Sequence, residues 1–242
     1  MAENILKHTF KAYKKNLKLI SFFSIPALVA FLIPVLVNTP VFGALGGTFL
    51  RTGSIPDLTA PEFGVILVGV LASLYLISFA MVNINIVIKS QRTGTSIKKE
   101  VIKGVTGYTL NVFLLFLLGS IALLIIQLLT FELGVQAWLA PALSLIIWLP
   151  LFYAPAGLVI DELRPFRAAQ RSFGMIFSKL NYFVIWLAIA FVLLSLMDGI
   201  LLWLLPHKFG SLAVLLINSM VLMPFLIVLQ TQIYLSKYSI LD

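Results

Sequence analysis

Six long runs of apolar residues alternate with shorter polar segments along this chain. Each run is close to the roughly 20 residues that an α-helix needs to cross a bilayer. The runs cover residues 17–37, 64–88, 109–130, 138–160, 182–205 and 211–235. They are continuous, whereas the strands of a membrane β-barrel alternate apolar and polar residues. The pattern therefore predicts an all-α, polytopic integral membrane protein with six transmembrane helices.

Prolines are most frequent in the first and fourth of these predicted helices. The first run contains Pro26 and Pro34, and the fourth contains Pro141, Pro150 and Pro155. Membrane helices tolerate proline because neighbouring groups satisfy the carbonyl that proline leaves without a donor. We therefore expect kinks, above all in the fourth helix.

A short amphipathic segment precedes each odd-numbered membrane helix. In the segment 166–180, apolar residues recur at steps of three and four, as on one stripe of an α-helix. The predicted stripes are Leu6, Phe10, Tyr13, Leu17 and Ile20 in the first segment, Val101, Val105, Tyr108 and Val112 in the second, and Phe166, Ala169, Phe173, Ile176 and Leu180 in the third. A basic helix with one apolar face lies in the headgroup layer of a membrane and does not cross it.

These segments fit a threefold repeat within a single membrane domain, 1–242, with units near 1–90, 91–160 and 161–242. Lys11-Ala12-Tyr13, Lys103-Gly104-Val105 and Arg171-Ser172-Phe173 align as basic, small and apolar. Basic segments also precede hairpins in membrane proteins without any repeat, and this plainer interpretation stays open. On the repeat hypothesis the chain forms three hairpins, each beginning with an amphipathic cytoplasmic helix.

The loops on the opposite side differ in length. The loops 131–137 and 206–210 are short, whereas the first, 38–63, is long and rich in glycine and proline. Its apolar portion, 41–50, is too short to cross a bilayer. We expect this portion either to dip into the membrane interface or to form a plain surface loop.

Charge is sparse and unevenly distributed. The chain is 61% hydrophobic and 11% charged, with a mean hydropathy of +1.08, whereas soluble domains carry about 25% charged residues. Fifteen of the seventeen lysines and arginines fall on one side of the predicted helices, and only Arg51 and Lys208 fall on the other. The positive-inside rule then predicts a multi-pass protein of the cell membrane with both termini in the cytoplasm.

The formal charge of +8 therefore indicates the anionic inner leaflet rather than nucleic acid. Each basic side chain near such a surface contributes about 1 kcal/mol of binding. The candidate lipid-binding residues are Lys7, Lys11, Lys14, Lys99, Lys103, Arg167 and Arg171. We expect membrane lipids as partners, and protein partners stay open.

Two polar residues of the last hairpin form a candidate intramembrane site. Asp198 and Asn218 each lie about seven residues from the turn 206–210, so they have similar depth and can pair. A charge at depth costs about 2.5–3.5 kcal/mol on insertion scales, so Asp198 should face the protein interior or water. The pair is either a proton- or cation-coupled site or a hydrogen-bonded clamp close enough to the surface to hydrate.

Other polar residues lie near the predicted cytoplasmic ends of the second and sixth helices. They are Asn83, Asn85, Gln230 and Gln232. Hydrogen bonds between membrane helices account for such residues without any substrate. We interpret these four as structural.

Motifs for catalysis, a metal or a cofactor are missing from the sequence. There is no cysteine, no His-Glu-x-x-His, no Gly-x4-Gly-Lys-Ser/Thr and no Gly-x-Ser-x-Gly. His8 and His207 fall on opposite predicted sides of the membrane and cannot share a metal ion. The sequence therefore favours a non-enzymatic protein without cofactor or metal.

One stretch resembles a known family. It contains Leu-Pro-Leu-Phe-Tyr-Ala-Pro at 149–155, Val-Ile-Asp-Glu at 159–162 and Pro-Phe-Arg-Ala-Ala-Gln-Arg-Ser-Phe at 165–173. These motifs are similar to the six-helix membrane domain attached to some glycerophosphodiester phosphodiesterases, and to related prokaryotic membrane proteins of unknown function. The resemblance implies a six-helix fold close to lipid. The 242 residues contain no counterpart of the soluble phosphodiesterase domain, so the resemblance does not imply hydrolysis.

Two functional hypotheses follow from these patterns. The first is a non-catalytic membrane-embedded scaffold or accessory subunit that contacts anionic lipid through its basic amphipathic helices. The alternative is a small-solute or lipid transporter with a site near Asp198 and Asn218, since proline-broken helices and repeats are common in transporters.

Overall fold

A computed structural model describes residues 2–36, 59–95 and 97–238 of the chain. Within these residues all regular structure is helical, and six segments are long and apolar enough to cross a membrane. The predicted class, an all-α polytopic membrane protein, is therefore confirmed. The portion 41–50, expected at the interface or in a surface loop, lies outside the described residues.

The first hairpin follows an amphipathic helix. Its elements are α1 (Ala2–Lys15), α2 (Leu17–Leu36) and α3 (Ala60–Thr93). Helices α2 and α3 are the first and second spanning segments, and they pack against each other. Helix α3 continues past the predicted limit at residue 88 to Thr93, and the residue that caps it, Gly94, has a φ of 67°. Glycine adopts this left-handed conformation without strain, and it is a common helix terminator.

The second hairpin contains a broken helix. Its elements are α4 (Ile97–Lys103), a π-helical turn (Gly104–Tyr108), α5 (Thr109–Glu132), α6 (Gln136–Phe152) and α7 (Ala154–Ile160). Helix α5 is the third spanning segment, and α6 and α7 together form the fourth. The break falls at Tyr153, between Pro150 and Pro155. Proline lacks a backbone N–H and its ring disturbs the preceding turn, so the kink expected in the fourth helix is confirmed.

The third hairpin again follows an amphipathic helix. Its elements are α8 (Pro165–Ser178), α9 (Leu180–Leu204), α10 (His207–Ile217), a π-helical turn (Asn218–Leu222), α11 (Met223–Leu235) and a 3-10 turn (Ser236–Tyr238). Helix α9 is the fifth spanning segment, and α10 to α11 form the sixth. Pro224 lies just after the π-helical turn. A local π adjustment is one way in which membrane helices accommodate the backbone groups that proline leaves unpaired.

The best-buried part of the bundle surrounds α11. Every residue of α11 from Pro224 to Leu235 is buried, because α1, α3, α7 and α9 pack around this helix. By contrast, α9 buries only Phe183 and Ala190. We use "basic end" for the end of the bundle where α1, the last turn of α3, the loop after α7 and the last turn of α11 meet.

The amphipathic helices have two apolar faces where the sequence indicated one. Helix α8 buries Ala168, Ser172, Met175 and Ile176 against the protein, while most of the predicted stripe faces outward. In that stripe the ring of Phe166 is 76% exposed and that of Phe173 is 40% exposed. The small side chains of Ala168 and Ser172 allow α8 to pack closely against the bundle. Phe166 and Phe173 lie on the opposite side of the helix and stay exposed.

Helix α1 is arranged in the same way. Its inner face buries Ile5, Thr9 and Ala12, whereas Phe10 of the predicted stripe is 61% exposed. Ile5 belongs to the same hydrophobic cluster as Met175 and Ile176 of α8. The two amphipathic helices therefore lie at the same end of the bundle.

Candidate functional site

A serine of α8 completes the hydrogen bonding of the broken fourth spanning segment. Ser172 Oγ accepts a hydrogen bond of 2.8 Å from the backbone N–H of Tyr153. The same hydroxyl donates to the carbonyl oxygen of Leu149 over 3.1 Å. In a regular α-helix these two backbone groups would bind each other. Because Ser172 is fully buried, this side chain fixes α8 to the kink.

An aspartate in the loop after α7 gathers donors from two other elements. The Tyr234 hydroxyl donates to Asp161 Oδ2 over 2.7 Å, and the Lys237 ammonium and the Tyr238 hydroxyl also donate to this carboxylate. Arg171 Nε lies 3.7 Å from Asp161 Oδ2. The Asp161 side chain is only 5% exposed. We call these five residues the Asp161 junction.

The electrostatics of the junction keep Asp161 ionised. Burial alone would raise the pKa of the Asp161 carboxyl, because it disfavours the charged form. Hydrogen bonds from Lys237, Tyr238 and Tyr234 stabilise the carboxylate and outweigh that effect, so the pKa lies below its ordinary value. A carboxylate with this many donors acts as a fixed acceptor that joins α7, α8 and α11.

The next residue connects the same loop to the second spanning segment. Glu162 has a φ of 53°, in the left-handed region that residues other than glycine seldom adopt. Its Oε1 lies 2.9 Å from Lys89 Nζ near the end of α3. The same ammonium is 3.5 Å from Glu100 Oε2 in α4. The loop thereby joins elements from all three hairpins.

Three of the four polar residues interpreted as structural form bonds between helices. Thr231 donates to Asn85 Oδ1 over 2.8 Å. Arg92 Nη2 donates to Gln232 Oε1 over 3.0 Å, and Gln230 donates to the carbonyl oxygen of Phe152. The fourth, Asn83, donates within its own helix to the carbonyl oxygen of Phe79. The structural interpretation therefore accounts for these contacts without a ligand.

The described candidate lipid-binding residues lie on the surface of the two amphipathic helices. Lys7, Lys11 and Lys14 are exposed on α1, and Arg167 and Arg171 are exposed on α8. On α8 they accompany outward-facing aromatic residues, including Phe177, which is 59% exposed. Arg171 also approaches Asp161, as described above. The side chains of Lys99 and Lys103 lie outside the described residues.

The structure also brings together the two polar residues of the last hairpin. Asn218 Nδ2 donates to Asp198 Oδ1 over 3.0 Å, which joins the fifth and sixth spanning segments. Asn218 is the first residue of the π-helical turn. Its Oδ1 is buried without a hydrogen-bond partner in the part of the chain that the structure describes. The pairing is present, and a role in proton or cation coupling stays a prediction.

Most residues of these networks were not identified from the sequence as site residues, among them Asp161, Ser172, Tyr234, Lys237 and Tyr238. The last three follow a spacing of three and four residues at the end of the sixth spanning segment. That spacing places side chains on one helix face, and it is the only sequence signal for the junction. The signal does not identify Asp161 as the shared acceptor.

In the part of the chain that the structure describes, six helices long and apolar enough to span a membrane define the class: an α-helical multi-pass membrane protein. No family model, curated protein or solved structure matches the chain. A more specific function therefore has to be argued from the geometry.

Proposed function

We propose that the protein is a non-catalytic scaffold or accessory subunit that contacts anionic lipid through α1 and α8 at the cytoplasmic face of the cell membrane. The observation that carries this proposal is the outer face of α8. There the exposed Arg167 lies beside the exposed rings of Phe166 and Phe173. Cationic groups next to aromatic side chains suit the boundary between headgroups and acyl chains.

Helix α1 adds a second basic surface at the same end of the bundle. Lys7, Lys11 and Lys14 recur at three and four residues and are exposed, close to the exposed ring of Phe10. At about 1 kcal/mol for each basic residue near an anionic surface, the two helices together favour anionic over neutral lipid.

The Asp161 junction supports a scaffold rather than a reaction centre. Its buried carboxylate is ionised and surrounded by donors, which suits structural support better than proton transfer. Arg171 contacts Asp161 and Ser172 bridges the break at Tyr153, so two separate contacts hold α8 in a fixed position. A rigid α8 presents its basic outer face without a further loss of conformational entropy.

A lipid-retention experiment tests this proposal. The protein is reconstituted in an equal mixture of phosphatidylglycerol and phosphatidylcholine, purified in mild detergent, and its retained lipids are quantified by mass spectrometry. We expect the wild type to retain more phosphatidylglycerol than phosphatidylcholine. Charge reversal of Lys7, Lys11, Lys14 and Arg167 to Glu should abolish that preference.

The control is Lys208→Glu, which reverses a charge in the first turn of α10, at the other end of the bundle. This variant should keep the wild-type preference for phosphatidylglycerol. Arg171 is left unchanged because it also contacts the Asp161 junction. Equal retention of the two lipids by the wild type, or an unchanged preference after the fourfold reversal, would contradict the proposal.

A second candidate function is transport, favoured by the Asp198–Asn218 bond at a π-helical turn. Such turns are frequent at functional sites. In proteoliposomes that contain a pH-sensitive dye, a proton-coupled site predicts proton entry driven by a potassium diffusion potential. Asp198→Asn should abolish the entry, and equal rates in wild type and variant would remove this candidate.

A further inference from the structure

A cavity of about 740 Å3 lies among the spanning segments. All six contribute to its lining, with Phe31, Ile77, Phe116, Trp148, Leu194 and Leu215 as one representative each. The lining side chains are apolar except for Asn218 and Gln230, and the described lining contains no charged residue. The volume is within the range of about 300–1,000 Å3 that is typical of small-molecule sites.

Three contacting aromatic rings line one part of the cavity. The ring of Phe152 contacts Phe183 and Trp186, with centroid separations of 5.0 and 4.7 Å. Trp186 Nε1 donates to the carbonyl oxygen of Leu226 over 3.0 Å. The polar group of this tryptophan is therefore satisfied, and its indole ring presents an apolar wall.

The sides of the cavity are open toward the surrounding lipid. Leu145 and Trp148 of the fourth spanning segment line the cavity and are 56% and 47% exposed. Leu187 of the fifth also lines it and is 43% exposed. Helix α9 has few buried residues, as described above, so it does not seal the space between itself and α6. A flexible chain can therefore enter from the side.

An apolar space of this size is not stable when empty. The free-energy cost of a cavity rises with its volume, and apolar cavities remain free of water. Within a bilayer the surrounding medium consists of acyl chains, which are as apolar as leucine. We propose that the cavity holds a hydrocarbon chain of one membrane lipid, which enters between the fourth and fifth spanning segments. This acyl-chain site does not depend on the headgroup contacts proposed for α1 and α8.

Native mass spectrometry of the purified full-length protein tests the acyl-chain site. The protein is incubated separately with phosphatidylglycerol and with phosphatidylcholine of identical acyl chains, and the micelle is then removed in the gas phase. We expect one lipid per chain to survive conditions that remove all others, for both headgroups. Headgroup contacts alone would retain phosphatidylglycerol preferentially, so the two proposals have different outcomes.

A matched pair of substitutions on α9 locates the site. Leu194→Trp places a large ring in the cavity, whereas Val192, two residues away, does not line it and is 48% exposed. Successive helical residues are 100° apart, so positions 192 and 194 point in different directions. Leu194→Trp should lower occupancy of the retained lipid at least about tenfold, and Val192→Trp should leave it unchanged. Leu215→Trp, on the sixth spanning segment, should repeat the loss.

The wild-type protein provides a readout that needs no variant. Trp148 and Trp186 both line the cavity, and bromine atoms on an acyl chain quench tryptophan fluorescence only at contact. One bound lipid with brominated chains should therefore quench the emission of the detergent-solubilised protein. Absence of quenching at one lipid per protein molecule would contradict the proposed acyl-chain site. Normal lipid retention by folded Leu194→Trp and Leu215→Trp would also contradict it.

Discussion

Ser172 of α8 accepts a hydrogen bond of 2.8 Å from the backbone N–H of Tyr153, at the break in the fourth spanning segment. In a regular helix this N–H would donate to the Leu149 carbonyl instead. The proline-flanked break in the fourth spanning segment leaves backbone groups exposed, and a side chain from α8 satisfies them. An amphipathic helix at the surface of the bundle is thereby built into the hydrogen bonding of a membrane helix. The kink and the position of α8 are one structural unit.

Removal of the Ser172 hydroxyl should destabilise the protein. Ser172→Ala leaves the Tyr153 N–H and the Leu149 carbonyl without this partner in a buried site, which costs about 1–3 kcal/mol. The measurement is chemical unfolding in detergent, followed by circular dichroism. Ser178→Ala is the control, because Ser178 is an exposed residue of the same helix, and its effect should stay within about 0.5 kcal/mol. Equal effects of the two substitutions would exclude the bridging role.

Stability should depend on pH through Asp161. Its pKa is lowered in the folded protein, whereas an unfolded aspartate has a pKa near 3.9. The ionised carboxylate therefore adds stability above about pH 4, and this contribution is lost as the pH falls through the folded-state pKa. Asp161→Asn should be less stable than wild type at pH 7, and the difference should shrink below about pH 4.

The measurement is the unfolding free energy in detergent between pH 7 and pH 3. Glu132→Gln is a suitable control, because Glu132 is an exposed residue at the end of α5. Its stability should follow the wild-type curve at every pH. A constant difference between wild type and Asp161→Asn over this range would show that the carboxylate contributes nothing through its charge.

Gly157 should be essential for the approach of α7 to α11. A Cβ at this position would lie 3.1 Å from the Tyr234 hydroxyl and 3.5 Å from Ala168 Cβ. Gly157→Ala should displace the hydroxyl that donates to Asp161, at a cost of about 1–3 kcal/mol. In a Tyr234→Phe background the hydroxyl is absent, so the added cost of Gly157→Ala should be smaller.

The control is Gly174→Ala in α8, where a Cβ would meet open space. Alanine is a better helix former, so this change should stabilise the protein by about 0.5–1 kcal/mol. Unfolding of the wild type, Gly157→Ala, Tyr234→Phe and the double variant in detergent gives the coupling between positions 157 and 234. Additive effects would contradict a steric contact between the glycine site and the tyrosine hydroxyl.

The Asp198–Asn218 bond should contribute modestly to stability. Hydrogen bonds between membrane helices average about 0.6 kcal/mol in double-mutant cycles and reach about 1.7. The cycle of Asp198→Ala and Asn218→Ala should give a coupling within this range. Ser219→Ala is the control partner, because Ser219 donates only to carbonyl oxygens of its own helix. Its coupling to Asp198→Ala should be zero within error.

Hydropathy predicted the membrane part of the fold because lipid requires long, uninterrupted apolar helices. The pairing of Asp198 with Asn218 was also predictable, since both positions can be counted from the same tight turn. The ends of the helices were harder to predict where polar residues continue a helix beyond its apolar run. Helix α3 extends to Thr93 because its polar last turn is held by Glu162 and Gln232, which no local pattern reveals.

The rotation of α8 could not be derived from periodicity alone. The buried residues Met175 and Ile176 and the exposed residues Phe166 and Phe173 are all apolar, so the pattern does not distinguish an inner face from an outer one. The Asp161 junction was hidden for another reason. Its acceptor and its tyrosine donors are far apart in sequence, and only the packing of α7 on α11 brings them together.

The contact of Ser172 with the fourth spanning segment has a consequence for biogenesis. The ribosome synthesises residues 136–160 before Ser172, so this stretch enters the bilayer without the hydroxyl. The prolines bend this stretch from the start, but its Tyr153 N–H and Leu149 carbonyl acquire their side-chain partner only when α8 docks. We therefore expect the final geometry of the bend to be reached after insertion, when the following segment emerges.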